Sequence, residues 1–449
     1  MSELPLSGIR VLELGQLIAG PFAGQLLSHF GAEVIKVEPP SVGDPVRVWR
    51  ELDIDGTSIW FRSVSRNKKS VTIDMRKDEG KKWVDTIRIL LPLIACISRD
   101  RLVKDLAIKS DILLENFRPG TLEKWGIGPS NIHPHNPDLI FTRVSGYGQT
   151  GPWAHRPGYA TVCEGEAGFR YINGFPDENG QLSGPSVRPN ISLGDSITGL
   201  HAAFGAVLAL LSRDKRRSNG KRGGQTIDVS IMESMMNMME GIVPEYSRKG
   251  IIRGPSGSSI TGIVPTNAYP TSVPSAYVLI GANGESIYER FMTAIGRPDL
   301  IGPDYLGNHN RVPRRQEIEN AIIEWTSKRT PGEVVKAMVD ANVPVGRVMN
   351  VKDIMENEHV RERGMIERIR VPYRSASEGK PTEESESGGW DLDVHRIIPL
   401  MENDIPTRWA GPDLGQHNEE VLGGILGLSK SDRDELKVRG VVGNECTQE

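Results

Sequence analysis

The apolar run at residues 9–14, Ile-Arg-Val-Leu-Glu-Leu, predicts a strand, and the glycine-rich turn from Gly15 to Gly20 that follows predicts a helix over 21–30 with Pro21 at its first position. Residues 32–37 predict a second strand closing on Glu38. This β-α-β opening implies a parallel sheet with right-handed crossovers. Further strands are predicted at 67–76, 111–117, 139–144 and 225–230. Several of these run into loops carrying Gly, Asn or a cation, and in open α/β sheets ligands bind outside such carboxyl ends. Ile197, Leu200, Phe204, Val207, Leu208 and Leu211 recur at the spacing of one helix face, so Asp195 stands at a helix N-terminus. A carboxylate there meets unpaired backbone N–H groups and the positive end of the helix dipole, which keeps it ionised near neutral pH. It reads as a capping residue, the commoner use of Asp at such a place, or as a carboxylate nucleophile held ready for attack.

Beyond a basic turn at 212–224, residues 231–242 carry Met232, Met235, Met236, Met238 and Met239 at helical spacing, which reads as adaptable packing at a domain or subunit contact. A flexible loop, Ser256-Gly257-Ser258-Ser259, precedes a β-meander at 264–269 and 276–280, and the pattern is helical from Glu285 to Asn342. This stretch reads as a smaller α+β domain. The polar segment 374–389 reads as a mobile loop, and 414–422 begins a closing helix. The expected division is 1–226, a linker helix at 227–251, a small domain at 252–350 and a return to the large domain over 351–449. The stretch 83–100 does not fit its surroundings: Pro92 interrupts its helical pattern, and the join is longer than one crossover helix needs. It reads as an insertion or a gene-model error.

Composition narrows the function. With 54 basic and 58 acidic residues the net charge is -4, so no global field favours nucleic acid or an anionic membrane, and small-molecule chemistry is the default. Cys96, Cys163 and Cys446 are widely spaced and offer neither a disulfide framework nor a metal knuckle. The residues after Met1 lack the pattern of a signal or transit peptide, which points to the cytoplasm, with a mitochondrial location as the alternative. There is no G-x-S-x-G elbow, no phosphate-binding G-x-x-x-x-G-K loop, and His133 and His135 bracket a proline, so serine hydrolases, P-loop NTPases and zinc hydrolases lose ground. Gly15, Gly20 and Gly24 do not make G-x-G-x-x-G, which leaves a dinucleotide site with Glu38 on a ribose as a weak alternative. Lys68, Lys69, Arg76, Arg118 and Lys124 are candidates for phosphate contacts, each also readable as a solvated surface charge.

Several strings in one order carry a resemblance: Leu6-Ser7-Gly8-Ile9-Arg10-Val11-Leu12-Glu13-Leu14, Ala19-Gly20-Pro21-Phe22-Ala23, the run from Gly31 to Glu38, Asn67-Lys68-Lys69-Ser70, Glu115-Asn116-Phe117-Arg118-Pro119-Gly120, Gly146-Tyr147-Gly148, Gly194-Asp195 and the run from Leu414 to Leu422. The chain resembles the class III coenzyme A transferases from Leu6 to about Val442. The resemblance implies that Asp195 is the catalytic aspartate. It implies a coenzyme A site lined by Ile18 and Ala19, by Ile73, Asp74, Met75 and Arg76, by Asn116, Phe117 and Arg118, by Lys124, and by Arg156 and Tyr159. It implies an α/β fold with a Rossmann-like large domain built from both termini and a small α+β domain, two ring-shaped subunits being interlocked as a homodimer. The implied partners are acyl-CoA and a carboxylic acid, with no nucleic acid, no membrane and no tightly bound cofactor, coenzyme A being substrate.

The implied reaction passes through an aspartyl mixed anhydride, with backbone N–H groups at the Asp195 helix start as candidate oxyanion donors. Where many relatives have Gly-Tyr-Asp this chain has Gly158-Tyr159-Ala160, and the glycine-rich flap of the oxalate enzymes is missing, Ser256 to Ser259 being the nearest flexible stretch. Both features argue against formyl-CoA:oxalate transfer, and by general likeness Gly262-Ile263-Val264-Pro265 and the helix-forming run from Glu285 to Leu300 lean toward the dicarboxylate-using members, with a succinyl-CoA-like donor. The alternatives are an α-methylacyl-CoA racemase-type isomerase, for which Tyr159 is a poor base near neutral pH, and a coenzyme A-binding protein without turnover.

Overall fold

The computed structural model describes residues 4–75, 99–372, 388–402 and 405–443. The chain forms two units, one of residues 1–167, 189–238 and 364–449, the other of 168–188 and 239–363.

The first unit is built on six parallel strands, β1 (Arg10–Glu13), β2 (Glu33–Glu38), β3 (Lys68–Thr72), β4 (Ile112–Glu115), β5 (Ile140–Ser145) and β6 (Thr226–Ser230), in the order β3-β2-β1-β4-β5-β6. The buried runs of the four inner strands suit a sheet covered on both faces, whereas the edge strands β3 and β6 are more polar. Alternate side chains go to opposite layers. Val11, Val34, Ile112, Leu114, Ile140 and Val144 meet α1 (Ala19–His29) and the alanine face of a later long helix. Leu12, Ile35, Val37, Leu113 and Phe141 instead meet Leu102, Val103 and Leu106 of α2 (Arg99–Ile108) together with Val421, Leu422 and Leu436 from the C-terminal segment. The predicted strands are thus present, within two residues at most ends except for 67–76, where β3 stops at Thr72. Helix α1 begins at Ala19, so Pro21 occupies its third position, where a missing N–H still costs nothing.

The remaining helices of this unit that matter here are α3 (Thr121–Lys124), α4 (Ala160–Glu166), α5 (Leu193–Ser218) and α6 (Ile231–Asn237). Helix α5 is long and apolar enough to cross a membrane by length and composition. Its inner face, with Ala202, Ala203, Ala206 and Ala209, is buried in the core. Its outer face leaves Leu200, Phe204, Leu208 and Leu211 between 48% and 74% exposed.

The second unit has an antiparallel three-stranded sheet, β7 (Thr266–Pro270), β8 (Tyr277–Gly281) and β9 (Val345–Arg347), in the order β7-β8-β9. Helices α7 (Glu285–Ala294), α8 (Arg315–Thr326) and α9 (Pro331–Asp340) close its core around Tyr269, Phe291, Ile318, Ile322 and Met338.

The chain then returns to the first unit as a hairpin, β10 (Ile366–Pro372) and β11 (Gly389–His395). The predicted mobile loop at 374–389 falls almost wholly outside the described residues, as does the predicted insertion apart from the start of α2. Edge strand β3 is covered by the C-terminal segment: the Ser70 and Thr72 N–H groups donate to His417 Nδ1 (3.1 Å) and Asn418 Oδ1 (2.8 Å), and Asp74 N–H donates to the Val441 carbonyl (2.8 Å). The run at 414–422 becomes a turn followed by a π-helical stretch, Glu419–Ile425, rather than a regular helix.

Buried His29, at the end of α1, lies among Arg66, Arg396, Arg408 and Glu367. Burial, opposed by Glu367 but reinforced by the arginines, pushes its pKa down to about 4. The unfolded chain therefore binds this proton near pH 6.5 and the folded chain only near 4, so stability falls as pH drops through that window, by up to about 1.4 kcal/mol per pH unit. Urea midpoints measured at pH 5, 6 and 7 should decline less steeply in His29→Phe than in the wild type; parallel profiles would refute this assignment.

Candidate active site

The strand order reverses between β1 and β4, and the loops after these two strands face each other there, the place where open α/β sheets bind ligands. Asn116, directly after β4, clamps the β1 loop: its Oδ1 accepts the Gln16 N–H (2.9 Å) and its Nδ2 donates to the Gln16 carbonyl (2.7 Å). Leu17 sits at φ 65°, an uncommon conformation for a residue with a side chain, and its N–H donates to the Asp44 carboxylate at 3.2 Å. Lys36 donates to the Gly15 carbonyl (2.8 Å) and pairs with Asp44 (2.8 Å) and Glu13 (3.1 Å). Lys68 pairs with Glu13 (2.9 Å) and donates to the Pro21 carbonyl (2.6 Å). All four charges are buried. Burial works against the Lys36 ammonium, but Asp44, Glu13 and Glu38 outweigh it and raise its pKa, whereas burial pushes Lys68 down to about 8. The loop carrying Ile18 and Ala19 is thus held by a clamp on one side and a buried ion network on the other.

Asp195 occupies the third position of α5, after Ser192 as N-cap and Leu193 and Gly194 as the first two helical residues. It is a first-turn residue and not the cap. One turn on, and on the same face, Gly199 lies against α1: a β-carbon there would stand 2.6 Å from the Ala19 carbonyl oxygen and 3.0 Å from Phe22. That contact packs the first two turns of α5 against α1. From the other side comes α4, whose buried Glu164 accepts the Gly194 N–H at 3.1 Å. Cys163 is buried next to this corner. Burial, moderated by a hydrogen bond with Tyr147, pushes its thiol up to about 11, and the Glu166 and Asp195 carboxylates add to the shift.

The expected coenzyme A residues fall into three places. Ile18 and Ala19 are buried at the switch point beside Asn116, with Ala19 also touching α5. Ile73 and Met75, following β3, belong to the same apolar cluster against which Phe117 and Trp125 pack, and those two rings meet edge to face at 5.0 Å. Asp74 is half-buried between Ile73 and Met75, while Arg118 and Lys124 are exposed beyond β4 and at the end of α3. Tyr159 is the exposed N-cap of α4, and Arg156 pairs with Glu166 (2.7 Å) with its guanidinium over Trp153 (4.4 Å). Arg76 lies outside the described residues.

Three expectations change. Lys68, a candidate phosphate ligand, is fully buried in the ion network and presents no charge to solvent. Glu38 has no room for a ribose: Arg47 binds both its oxygens at 2.7 Å, Ser70 donates to it at 2.6 Å, and although burial alone would raise its pKa, Arg47 holds the carboxyl at about 2. Gly194, one of the offered oxyanion donors, has its N–H committed to Glu164. Glu13, Asp44 and Glu164 were not legible as site residues, because burial and partners decide their roles and neither shows in spacing. Among the described residues no group of three or more His, Cys, Asp or Glu side chains could hold a metal ion.

A parallel sheet covered by helices on both faces, with the loops after β1 and β4 meeting at a switch point, defines an open α/β fold of the kind that binds ligands there. The family model for CoA-transferase family III matches residues 6–87 and 98–418. The chain belongs to that family, whose members transfer coenzyme A between acyl-CoA and carboxylic acids, and it is an enzyme of this kind. It is 38% identical over 440 residues to a succinyl-CoA--D-citramalate CoA-transferase of Chloroflexus aurantiacus, covering 98% of each chain. It is 36% identical over 445 residues to a succinyl-CoA--L-malate CoA-transferase alpha subunit of Chloroflexus aurantiacus, covering 98% of this chain and 93% of the other. Among solved structures, a CaiB/BaiF family protein from Brucella suis superposes with a TM-score of 0.73 at 25% identity, over 94% of this chain and all of the other. The family match leaves out residues 88–97, within the stretch that the sequence pattern marks as foreign.

Proposed function

We propose that the protein transfers coenzyme A from a succinyl-CoA-like donor to a small dicarboxylic acid, with Asp195 as nucleophile. The observation that carries this reading is the placement of Asp195 on the first turn of α5, fixed from both sides by the Gly194–Glu164 bond and the Gly199–Ala19 contact. An Asp195 carboxylate oxygen attacks the thioester carbonyl, and collapse of the tetrahedral adduct expels coenzyme A thiolate and leaves a mixed anhydride. The thiolate then attacks the Asp195 carbonyl, which releases the donor acid and forms an aspartyl thioester. The acceptor carboxylate attacks that thioester, the thiolate leaves again, and its attack on the acceptor carbonyl regenerates Asp195. Bond energy is conserved at every step provided water is excluded.

The two similar transferases named for succinyl-CoA with citramalate and malate support the donor and the acceptor class. Incubation with isotope-labelled free coenzyme A and a panel of thioesters tests the reading: label should enter succinyl-CoA fastest, and addition of a C4 or C5 dicarboxylate should yield its thioester. A folded sample that exchanges label into no thioester would overturn it.

The reading includes assembly as an interlocked pair of like subunits. The outer face of α5, with Leu200, Phe204, Leu208 and Leu211 exposed over three turns, supports a partner surface there. Light scattering at micromolar concentration should give a dimer mass for the wild type that persists on dilution, and Phe204→Glu should lower the yield of folded dimer; a monomeric wild type would refute the assembly.

A further inference from the structure

We infer that Glu164 is the positioning residue for Asp195, an inference that rests on the reading of Asp195 as nucleophile. The first turn of a helix is its least secured part, because its N–H groups have no intrahelical acceptor. Helix α5 begins without the usual remedy: Ser192 is the N-cap, and its hydroxyl makes no capping bond. The acceptor comes instead from another element. Glu164 projects from α4, is fully buried, and takes the Gly194 N–H at 3.1 Å. A buried carboxylate is costly unless hydrogen-bonded, so the bond holds both groups in place.

The fit leaves no slack. A β-carbon on Gly194 would stand 3.0 Å from Glu164 Oε1 and 3.3 Å from the Ala160 Cβ, so α4 and the first turn of α5 approach as closely as a glycine permits. Ala160 and Glu164 are one turn apart on the face of α4 that meets α5, and α4 thus delivers a carboxylate to the peptide preceding Asp195 from one turn beyond Ala160. The bonded residue is the immediate neighbour of Asp195, so any shift of the Gly194 peptide moves the attacking oxygen. Misplacements of about 1 Å cost about 100-fold in rate in other enzymes. What matters in this role is an acceptor oxygen at this point, which an amide supplies as well as a carboxylate.

Coenzyme A exchange into succinyl-CoA tests this with five variants of the full chain. Glu164→Ala should lower kcat at least tenfold with KM for the thioester within about threefold, and Glu164→Gln, which keeps an acceptor oxygen, should recover most of the loss. Gly194→Ala, which crowds the same contact from the other side, should also lower kcat, and combining it with Glu164→Ala should cost less than the product of the two losses. Asp195→Ala is the control for the underlying reading: if it retains exchange, Asp195 is not the nucleophile, whatever Glu164 does. If Asp195→Ala is inactive but Glu164→Ala keeps wild-type kcat, or Glu164→Gln loses as much as Glu164→Ala, the positioning role is refuted. Should Glu164→Ala fail to fold, full kcat in Gly194→Ala refutes it equally.

Discussion

Asp195→Ala should reduce coenzyme A exchange by at least about four orders of magnitude, equivalent to about 5.5 kcal/mol of lost transition-state stabilisation. The size follows from the proposed chemistry: Asp195 is bonded to the donor acyl group, then to coenzyme A, then to the acceptor acyl group in the successive intermediates, and no other group substitutes for a covalent partner. Thermal unfolding should change little, because Asp195 is only half-buried and Ser192, not Asp195, is the N-cap. Asp195→Asn should be as inactive as alanine while preserving shape. Asp195→Glu, which carries the carboxylate about one bond further, should retain a trace of activity, since displacements of about 1 Å cost about 100-fold. Treatment of the wild type with succinyl-CoA and then hydroxylamine should leave a hydroxamate on Asp195. Exchange persisting in Asp195→Ala would end the anhydride reading.

Lys36→Met should be the most damaging substitution other than at Asp195. Lys36 lies between Asp44 and Glu13 and also donates to the Gly15 carbonyl, and removing it leaves two buried carboxylates with Lys68 as their remaining ammonium. Breaking a buried pair from one side costs about 3–5 kcal/mol in other proteins, mostly through the charge left behind. Urea unfolding should show a loss of that size. Lys36→Met combined with Asp44→Asn should recover part of it by restoring neutrality, a non-additivity that distant sites do not show. Because Asp44 also accepts the Leu17 N–H, and Ala19 touches α5 through Gly199, the single variant should lose kcat beyond what its folded fraction explains. A urea midpoint equal to wild type would show that the network is dispensable.

The parallel sheet was legible because its inner strands are mostly apolar and end in recognisable turns, and the helix start near Asp195 because six apolar residues recur on one face of that helix. The loop residues Ile18, Ala19 and Asn116 followed from motif order, and the clamp between Asn116 and Gln16 gives their string a physical reason. What did not follow was anything decided by burial. Lys68 and Lys69 are neighbours of identical type, yet one is sealed against Glu13 and the other pairs with Glu33 and Glu420 near the surface, because successive strand residues point to opposite sides. The excursion of 168–188 into the second unit carries no compositional signal that separates it from its flanks. Glu164 reads in the sequence as one acidic residue among many, and only its distance from Gly194 distinguishes it.

The cover over β3 bears on how this chain is made. Asp195, the clamp and the ion network all lie before residue 200, but the groups that satisfy Ser70, Thr72 and Asp74 come from residues 417–441. During synthesis at about 5–20 residues per second, the N-terminal sheet therefore waits on the order of 20 seconds or more with an open, hydrogen-bond-hungry edge. Truncation near the C-terminus should consequently harm solubility before it harms chemistry.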